Sequence, residues 1–473
     1  MSWKIDNGVY EGKLAQTLLY TKAGKITKSI GLVFEAHLPG ASVGSLCRIL
    51  SSHEPDSDQG FDAEVIGFRD KRVLLMPFED APGINNDSLV VLKNRVSTVR
   101  VGSPLIGRVL DGRGVPIDSK GPLVSTGGQL EERGLYQKPS HPLERQKVQD
   151  PLDLGIRSIN GLLTCGKGQR LGIMAGSGVG KSVLLGMMAR HTQADINVIA
   201  LIGERGREVR EFIENDLGPE GLKKSVIIVS TSDKSPLLRM RGAFLAATVA
   251  EYFRDQGKDV LFLMDSVTRF CMAQREIGLS LGEPPASRGY TPSVFSTIPK
   301  LLERAGMAPV QGSITGLFSV LVEGDELDDP IADAVRSILD GHIVLSRQIA
   351  QKNHFPAVDV LQSTSRVMRA VVGEDQLRWA GQIKEWIAAY RQAEDLINIG
   401  AYVRGNNPKV DQAVAVMDRI NIFLKQGIDE KATLAESLAS MHAIVRHGES
   451  FLQDQGRGME NKSVSPIAGR VKF

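Results

Sequence analysis

The octet Ala175 to Ser182, AGSGVGKS, sits between the apolar run RLGIMA and the run VLLGMMARH. Glycine at Gly176, Gly178 and Gly180 strips side chains from a loop whose backbone N–H groups can then curl around phosphate oxygens. The run that follows carries apolar residues at helical spacing, so the loop opens a helix and gains the positive end of its dipole. Lys181 is then placed to reach terminal phosphates and the Ser182 hydroxyl to bind Mg2+, with Ala175, Ser177, Val179 and Val183 completing the same binding turn. Ala175 departs from the strict pattern, which has glycine there. A plain glycine-rich turn would satisfy the octet alone; the strand before it and the helix after it favour the phosphate site. The spacing is GxGxG, so the GxGxxG dinucleotide fingerprint is not present.

Further strand-like runs, NVIALIG, SVIIVS, DVLFLMD, SITGLFSVLV and HIVLSR, alternate with longer helical patterns between about 150 and 370. That alternation predicts a parallel sheet with helices on its faces. Ligands bind such sheets at the carboxyl ends of the strands. Asp265 ends DVLFLMD, where a carboxylate can hold the Mg2+ shell through water. Many strands end in Asp for turn reasons, and it is the octet upstream that singles this one out. GERGRE, Gly203 to Glu208, ends NVIALIG at the same sheet edge. A carboxylate there can polarise an attacking water, and an arginine can offset charge on a leaving phosphate. A surface ion-pair cluster at a helix start fits the same six residues.

A chain of 473 residues exceeds what one core supports, so two or three domains are expected. From 25 to 96 the short apolar stretches GLVFEA, SLCRIL, AEVIGF, RVLLMPF and SLVVLK, parted by turn residues, predict a small β-barrel after a leader at 1–24. LIGRVLDGRGVPID keeps turn chemistry, and the Pro-containing segment after it reads as a connector within an α/β unit spanning 97–372. Amphipathic patterns such as DQLRWAGQIKEWIAAYRQAEDLI predict a helical C-terminal domain at 373–453. Few apolar anchors remain at 454–473, which reads as a flexible tail.

Lys plus Arg number 57 against 55 Asp plus Glu, and the net charge of +2 gives no global reason to bind nucleic acid or an anionic membrane. Cys47, Cys165 and Cys271 stand far apart, which disfavours a disulfide framework and a zinc site and suits a reducing cytoplasm. The start MSWKIDNGVYEGKLAQ lacks the features of a signal peptide, and no stretch reaches the ~18 apolar residues of a spanning helix. A cytoplasmic protein is expected, meeting a membrane only through partners.

The blocks GIRSINGLLTCGKGQRLGIMAGSGVGKS, GERGREVREFI, MDSVTRFCMAQREIGLSLGEPPASRGYTPSVFSTIPKLLERAG and EGDELDDPIADAVRSILDGHIVLSR, with LIGRVLDGRGVPID before them, resemble successive segments of one family. It is the type III protein-export ATPases, within the group related to the rotary ATP synthase catalytic subunit. The resemblance covers nearly the whole chain. It implies a barrel, a RecA-like P-loop core and a helical C-terminal domain, assembled as a homohexamer with ATP and Mg2+ between subunits. It further implies that Glu204 positions water, with Arg205 near the terminal phosphate and Arg269, in MDSVTR, supporting it. HFPAVDVLQSTSR resembles the segment that supplies Phe355 to the adenine and Arg366 as a finger to the neighbouring subunit. Tyr402, in GAYVRG, is implied as a second contact to the base. By spacing alone a Phe before Pro is usually core and a lone Arg usually solvated.

AQREIGLSLGEPPASRGYTPSVF resembles the protein-export branch rather than the synthase, and SGVGKSVLLGMMAR the flagellar rather than the injectisome form. The implied partners are a regulatory or stator-like protein at the N-terminus, a stalk-like protein in the ring, the export gate, and export chaperones with their substrates. The implied place is the inner face of the bacterial cytoplasmic membrane. Two rivals have other signatures. A ring scaffold that hydrolyses little tends to lack a carboxylate where Glu204 stands. A hexameric nucleic-acid translocase calls for a basic, aromatic-rich RNA-binding module, which this sequence does not offer.

Overall fold

The computed structural model describes residues 22–50, 60–123, 129–322 and 329–460. Most of the expected leader, the tail beyond Glu460 and the EGDELD part of one sequence block lie outside the described residues.

The chain first forms β1 (Ala23–Ile30), β2 (Val33–His37), β3 (Leu46–Leu50), β4 (Gly60–Arg69), β5 (Arg72–Pro77) and β6 (Leu89–Asn94), which close into a barrel in the order β1-β2-β5-β4-β3-β6. Strand side chains alternate between faces, and β5 shows why its stretch Val73 to Met76 is apolar without alternation. Val73 and Leu75 fill the barrel with Ile26, Phe34, Ile49, Val65 and Val90. Leu74 and Met76 point the other way and pack, with Val33 and Phe78, on Leu237, Leu238 and Ile277 of the core. At the same joint Arg241 pairs with the buried Glu64 at 3.1 Å, and the Tyr136 hydroxyl donates to that carboxylate at 2.7 Å. β1 escaped the sequence reading because Ile26 is the one buried residue of its eight.

A ribbon of β7 (Thr98–Val101) and β9 (Glu131–Gly134) leads into the core, with β8 (Val109–Asp111) between them in sequence. The core strands are β10 (Arg170–Ala175), β11 (Ile196–Ile202), β12 (Ser225–Ser230), β13 (Asp259–Asp265), β14 (Ser313–Leu321) and β15 (Gly341–Leu345). They lie parallel in the order β15-β10-β14-β13-β11-β12, and these are the six runs that the sequence marked as strands. β8 extends the sheet in parallel beside β12, so the turn-rich LIGRVLDGRGVPID supplies an edge strand. The pair Thr364–Ser365 adds an antiparallel edge beside β15. Both faces are covered, which is why the runs are apolar without alternation. In β11, Ile199 and Leu201 enter one core cluster while Val198, Ala200 and Ile202 enter the other.

One face carries α1 (Lys181–His191); the other carries α2 (Pro236–Asp255), α3 (Val267–Leu281), α4 (Pro292–Leu302) and α5 (Pro330–Ile338). The chain ends in α6 (Glu374–Asn398), α7 (Pro408–Leu424) and α8 (Leu434–Glu460). α8 thus runs past Asp454, where the sequence reading placed the start of the tail. These helices share the α1-face cluster through Ile383, Trp386, Ile420, Phe423, Met441 and Ile444. They close on a short helix at Arg157–Leu162, where a Cβ on Gly161 would stand 2.5 Å from Met441 Sδ. No helix among the described residues is long and apolar enough to cross a membrane.

Candidate functional site

β10 ends at Ala175, whose pairing with Leu321 and Leu345 keeps it in the sheet. Its backbone is extended, so the position tolerates a side chain where the strict motif has glycine. The turn itself needs glycine: Gly178 and Gly180 have φ of 78° and 86°. Val179 is tucked into the core cluster beneath the turn, while Ser177 and Gly178 are exposed. Gly180 caps α1, so the first N–H groups of that helix face the turn. Gly176, Lys181, Ser182 and Val183 line a cleft of about 740 Å³, together with Glu204, Arg205, Glu208 and Arg269.

Lys181 Nζ forms an ion pair with Asp265 Oδ1 behind the cleft. Ser319 Oγ donates to the same oxygen at 2.6 Å. Asp265 is buried, and Ser266 after it caps α3 by accepting from the Arg269 amide at 3.3 Å. The strand therefore ends and the helix begins around the carboxylate. Ser182 and Asp265 supply a hydroxyl and a carboxylate, hard oxygen donors of the kind Mg2+ takes. That donor set fits the metal.

Glu204 follows β11 at Gly203, which has φ of 75°. A Cβ at Gly203 would lie 2.6 Å from Arg269 Cβ, so glycine lets the arginine pack against this turn. Burial first, then the Asp265 charge, raises the Glu204 carboxyl to about 7. Lys181 works against the rise, and a hydrogen bond with Glu208 adds to it. Glu204 Oε1 and Arg269 Nε are buried without a hydrogen-bond partner. Buried polar groups are normally paired, and two orphans in one cleft mark a place built for something that arrives. Arg205 is on the rim, its side chain 79% exposed and 3.6 Å from Glu208. Half of GERGRE thus faces the cleft. Around the same helix start, Arg207 and Arg210 form surface pairs with Glu211 and Glu214, as the plainer reading of a surface ion cluster expects.

Phe355 is brought to the loop: a Cβ on Gly180 would sit 3.5 Å from Phe355 Cδ1, and the ring is 42% exposed. Tyr402 is not among the residues that line the cleft. Its hydroxyl donates to the Asn407 carbonyl and Asp411 at 3.0 Å, between α6 and α7. Arg366 also stands apart. Ser365 pairs with Gly341 at the start of β15, so Arg366 lies at the opposite edge of the sheet from the cleft. The run Gly341–Leu345 alone separates the edges by roughly 13 Å at ~3.3 Å per residue. The sequence reading gave no role to Ser319, Glu208 or Arg347, of which the last two line the cleft. Ser319 had a signal, a hydroxyl set within the apolar stretch LFSVLV at the end of the run.

The sequence falls among known proteins along most of its length. Residues 155–365 match the ATP synthase alpha/beta family, nucleotide-binding domain, and residues 372–443 match the T3SS EscN ATPase C-terminal domain. The flagellum-specific ATP synthase of Bacillus subtilis (strain 168) is 50% identical over 430 residues, which are 91% of this chain and 97% of that protein. The type 3 secretion system ATPase of Sinorhizobium fredii is 47% identical over 418 residues, 88% of this chain and 91% of that one. The assembled ATPase EscN from the enteropathogenic E. coli type III secretion system superposes with a TM-score of 0.82 at 47% identity, covering 89% of this chain and all of EscN's (100%).

Proposed function

The chain belongs to the ATP synthase alpha/beta family, among the flagellum-specific and type III secretion ATPases, and from that premise we propose that its ATP hydrolysis serves export of flagellar proteins through a type III apparatus. The observation that carries the reading is the set Lys181, Asp265 and Glu204 gathered at the glycine turn, with a carboxyl poised near 7 and an unpartnered oxygen. In this reading Lys181 leaves Asp265 for the terminal phosphates when ATP enters. The amides from Gly176 to Ser182 cradle the phosphates, and Phe355 stacks against the base. Glu204 orients the attacking water at its free oxygen, and Arg269 and Arg205 offset phosphate charge. Ser182 and Asp265 would hold Mg2+, which supplies charge neutralisation between the phosphates.

Arg366 stands too far from its own cleft to take part there, which supports its acting in the site of a neighbouring subunit. A ring of six such chains, with nucleotide at each junction, follows from this reading. The assembled EscN, and its complex with the central stalk EscO, support a ring and a stalk-like partner here. A stator-like partner, the export gate and chaperones with their cargo complete the proposed assembly, at the inner face of the cytoplasmic membrane. A second reading, service in an injectisome, draws on the 47% identity to EscN and to the Sinorhizobium ATPase. The 50% identity to the Bacillus flagellar protein favours the first. Deleting the gene in its host and scoring filaments beside effector secretion tests the choice. Loss of filaments with secretion intact is expected; the reverse moves the protein to the injectisome.

A further inference from the structure

Arg366 is held from behind. Its amide donates to the Asp340 carbonyl at 2.9 Å and its Nη1 to the Leu339 carbonyl at 3.2 Å, which leaves the guanidinium exposed at the sheet edge. The Asp340 carbonyl also accepts from Gln169 Nε2 at 3.0 Å, and the same amide donates to Ser365 Oγ at 3.0 Å. Ser365 Oγ in turn donates to the Thr164 carbonyl at 2.9 Å. Thr164 Oγ1 accepts from Gln376 Nε2 at 2.8 Å, and Gln376 also reaches the carbonyls of Asn160 and Gly161 at 3.2 and 3.1 Å. Gln169, Thr164 and Gln376 are all buried. Gln376 lies in the first turn of α6, the helix that opens the C-terminal group.

A run of hydrogen bonds, through the buried Gln376 and Thr164, the Thr164 main-chain carbonyl and the half-buried Ser365, therefore connects the base of α6 to the residue that precedes Arg366. Apolar side chains would fill the same space without obligatory partners, so these groups fix a geometry. We propose that Gln376 is a positioning residue for Arg366: through Thr164, Ser365 and Gln169 it ties the seating of α6 to where the arginine stands. The inference rests on the reading that Arg366 serves the neighbouring subunit's site. Under it, a shift of the C-terminal helices against the core alters the next subunit's site through the donor's own edge, without passing through the donor's own cleft.

The test is complementation in mixed rings of full-length chains. Gln376→Met keeps volume and removes the donors; kcat for ATP hydrolysis is expected to fall roughly ten- to a hundredfold, the scale of a small misplacement, with KM within about twofold. Mixed with Lys181→Ala chains, whose own clefts are dead but whose Arg366 is intact, Gln376→Met chains should recover activity. The parallel mix of Arg366→Ala with Lys181→Ala reports on the shared site itself, and no recovery there removes that reading and the proposal with it. Recovery there without recovery for Gln376→Met, or an unchanged kcat, overturns the proposal alone. Gln376→Met mixed with Arg366→Ala should gain nothing over the residual activity of the two variants alone, since every donor arginine is displaced or missing; recovery would mean that mixing only steadies the ring, and would sink the inference. Should Gln376→Met fail to fold, Ser365→Ala breaks the same connection by one oxygen and must give the same pattern.

Discussion

Arg304 and Glu251, packed behind the sheet, and Glu204 and Arg269, facing the cleft, are all charged groups withdrawn from water. Arg304 uses all five of its N–H groups: two on the Glu251 carboxylate, and the others on the Thr248 hydroxyl and the carbonyls of Leu135 and Phe244. Glu204 and Arg269 each keep a buried atom without a partner, and the carboxyl of Glu204 is pushed up to about 7. The first arrangement is complete as it stands, so it contributes to one folded geometry. The second is incomplete until substrate supplies what is missing, so its unspent interactions are available to a transition state.

If that contrast is right, removing one member of the complete pair should be the most damaging change. Arg304→Met strands a buried carboxylate and is expected to lower stability by about 3–5 kcal/mol in equilibrium urea unfolding. A loss under 1 kcal/mol would mean that Glu251 finds another partner, and the contrast would weaken. Glu204→Gln should do the opposite, keeping the fold and nucleotide binding while kcat falls by ~100-fold, or about 2.7 kcal/mol. Steady-state hydrolysis beside fluorescent nucleotide titration separates the two effects, and unchanged turnover would take Glu204 out of the mechanism.

The same substitution sharpens the comparison through pH. Folding raises the Glu204 carboxyl from 4.5 to about 7, so the folded state holds this proton more tightly. Its stabilising contribution is therefore complete below pH 4.5 and lost as pH rises through 7. Glutamine mimics the protonated form. Tm of Glu204→Gln should exceed that of the parent by on the order of 2–4 °C at pH 8, and match it near pH 4.5. A constant gap across that range would assign the effect to packing instead. The smallest change is expected just outside the cleft. Arg210→Ala breaks a pair at 2.8 Å whose arginine is 78% exposed, and should cost no more than about 0.5 kcal/mol with kcat unaltered.

The six central strands were legible because burial on both faces writes itself as uninterrupted apolar sequence. The same logic hides a strand that is mostly solvent-facing, as in AGKITKSI, or one set among turn residues, as Val109–Asp111 is. At the site, Lys181, Ser182 and Asp265 could be read from local order, since loop, helix start and strand end are contiguous features. Phe355 and Arg366 came only from the resemblance. Nothing within either segment says that a cis neighbour of Pro356 meets Gly180, or that Arg366 lies at the far edge. Ser319 shows the intermediate case, a polar residue in an apolar strand whose partner lies 54 positions away.

One consequence of the closed barrel concerns unfolded polypeptide. Each of its six strands is hydrogen-bonded on both sides, β1 to β2 and β6 and so on around the ring. A sheet with a free margin offers a template on which any extended chain can add itself as another strand. The described strands of this barrel leave little such margin, so an extended chain that meets it is engaged mainly through side chains.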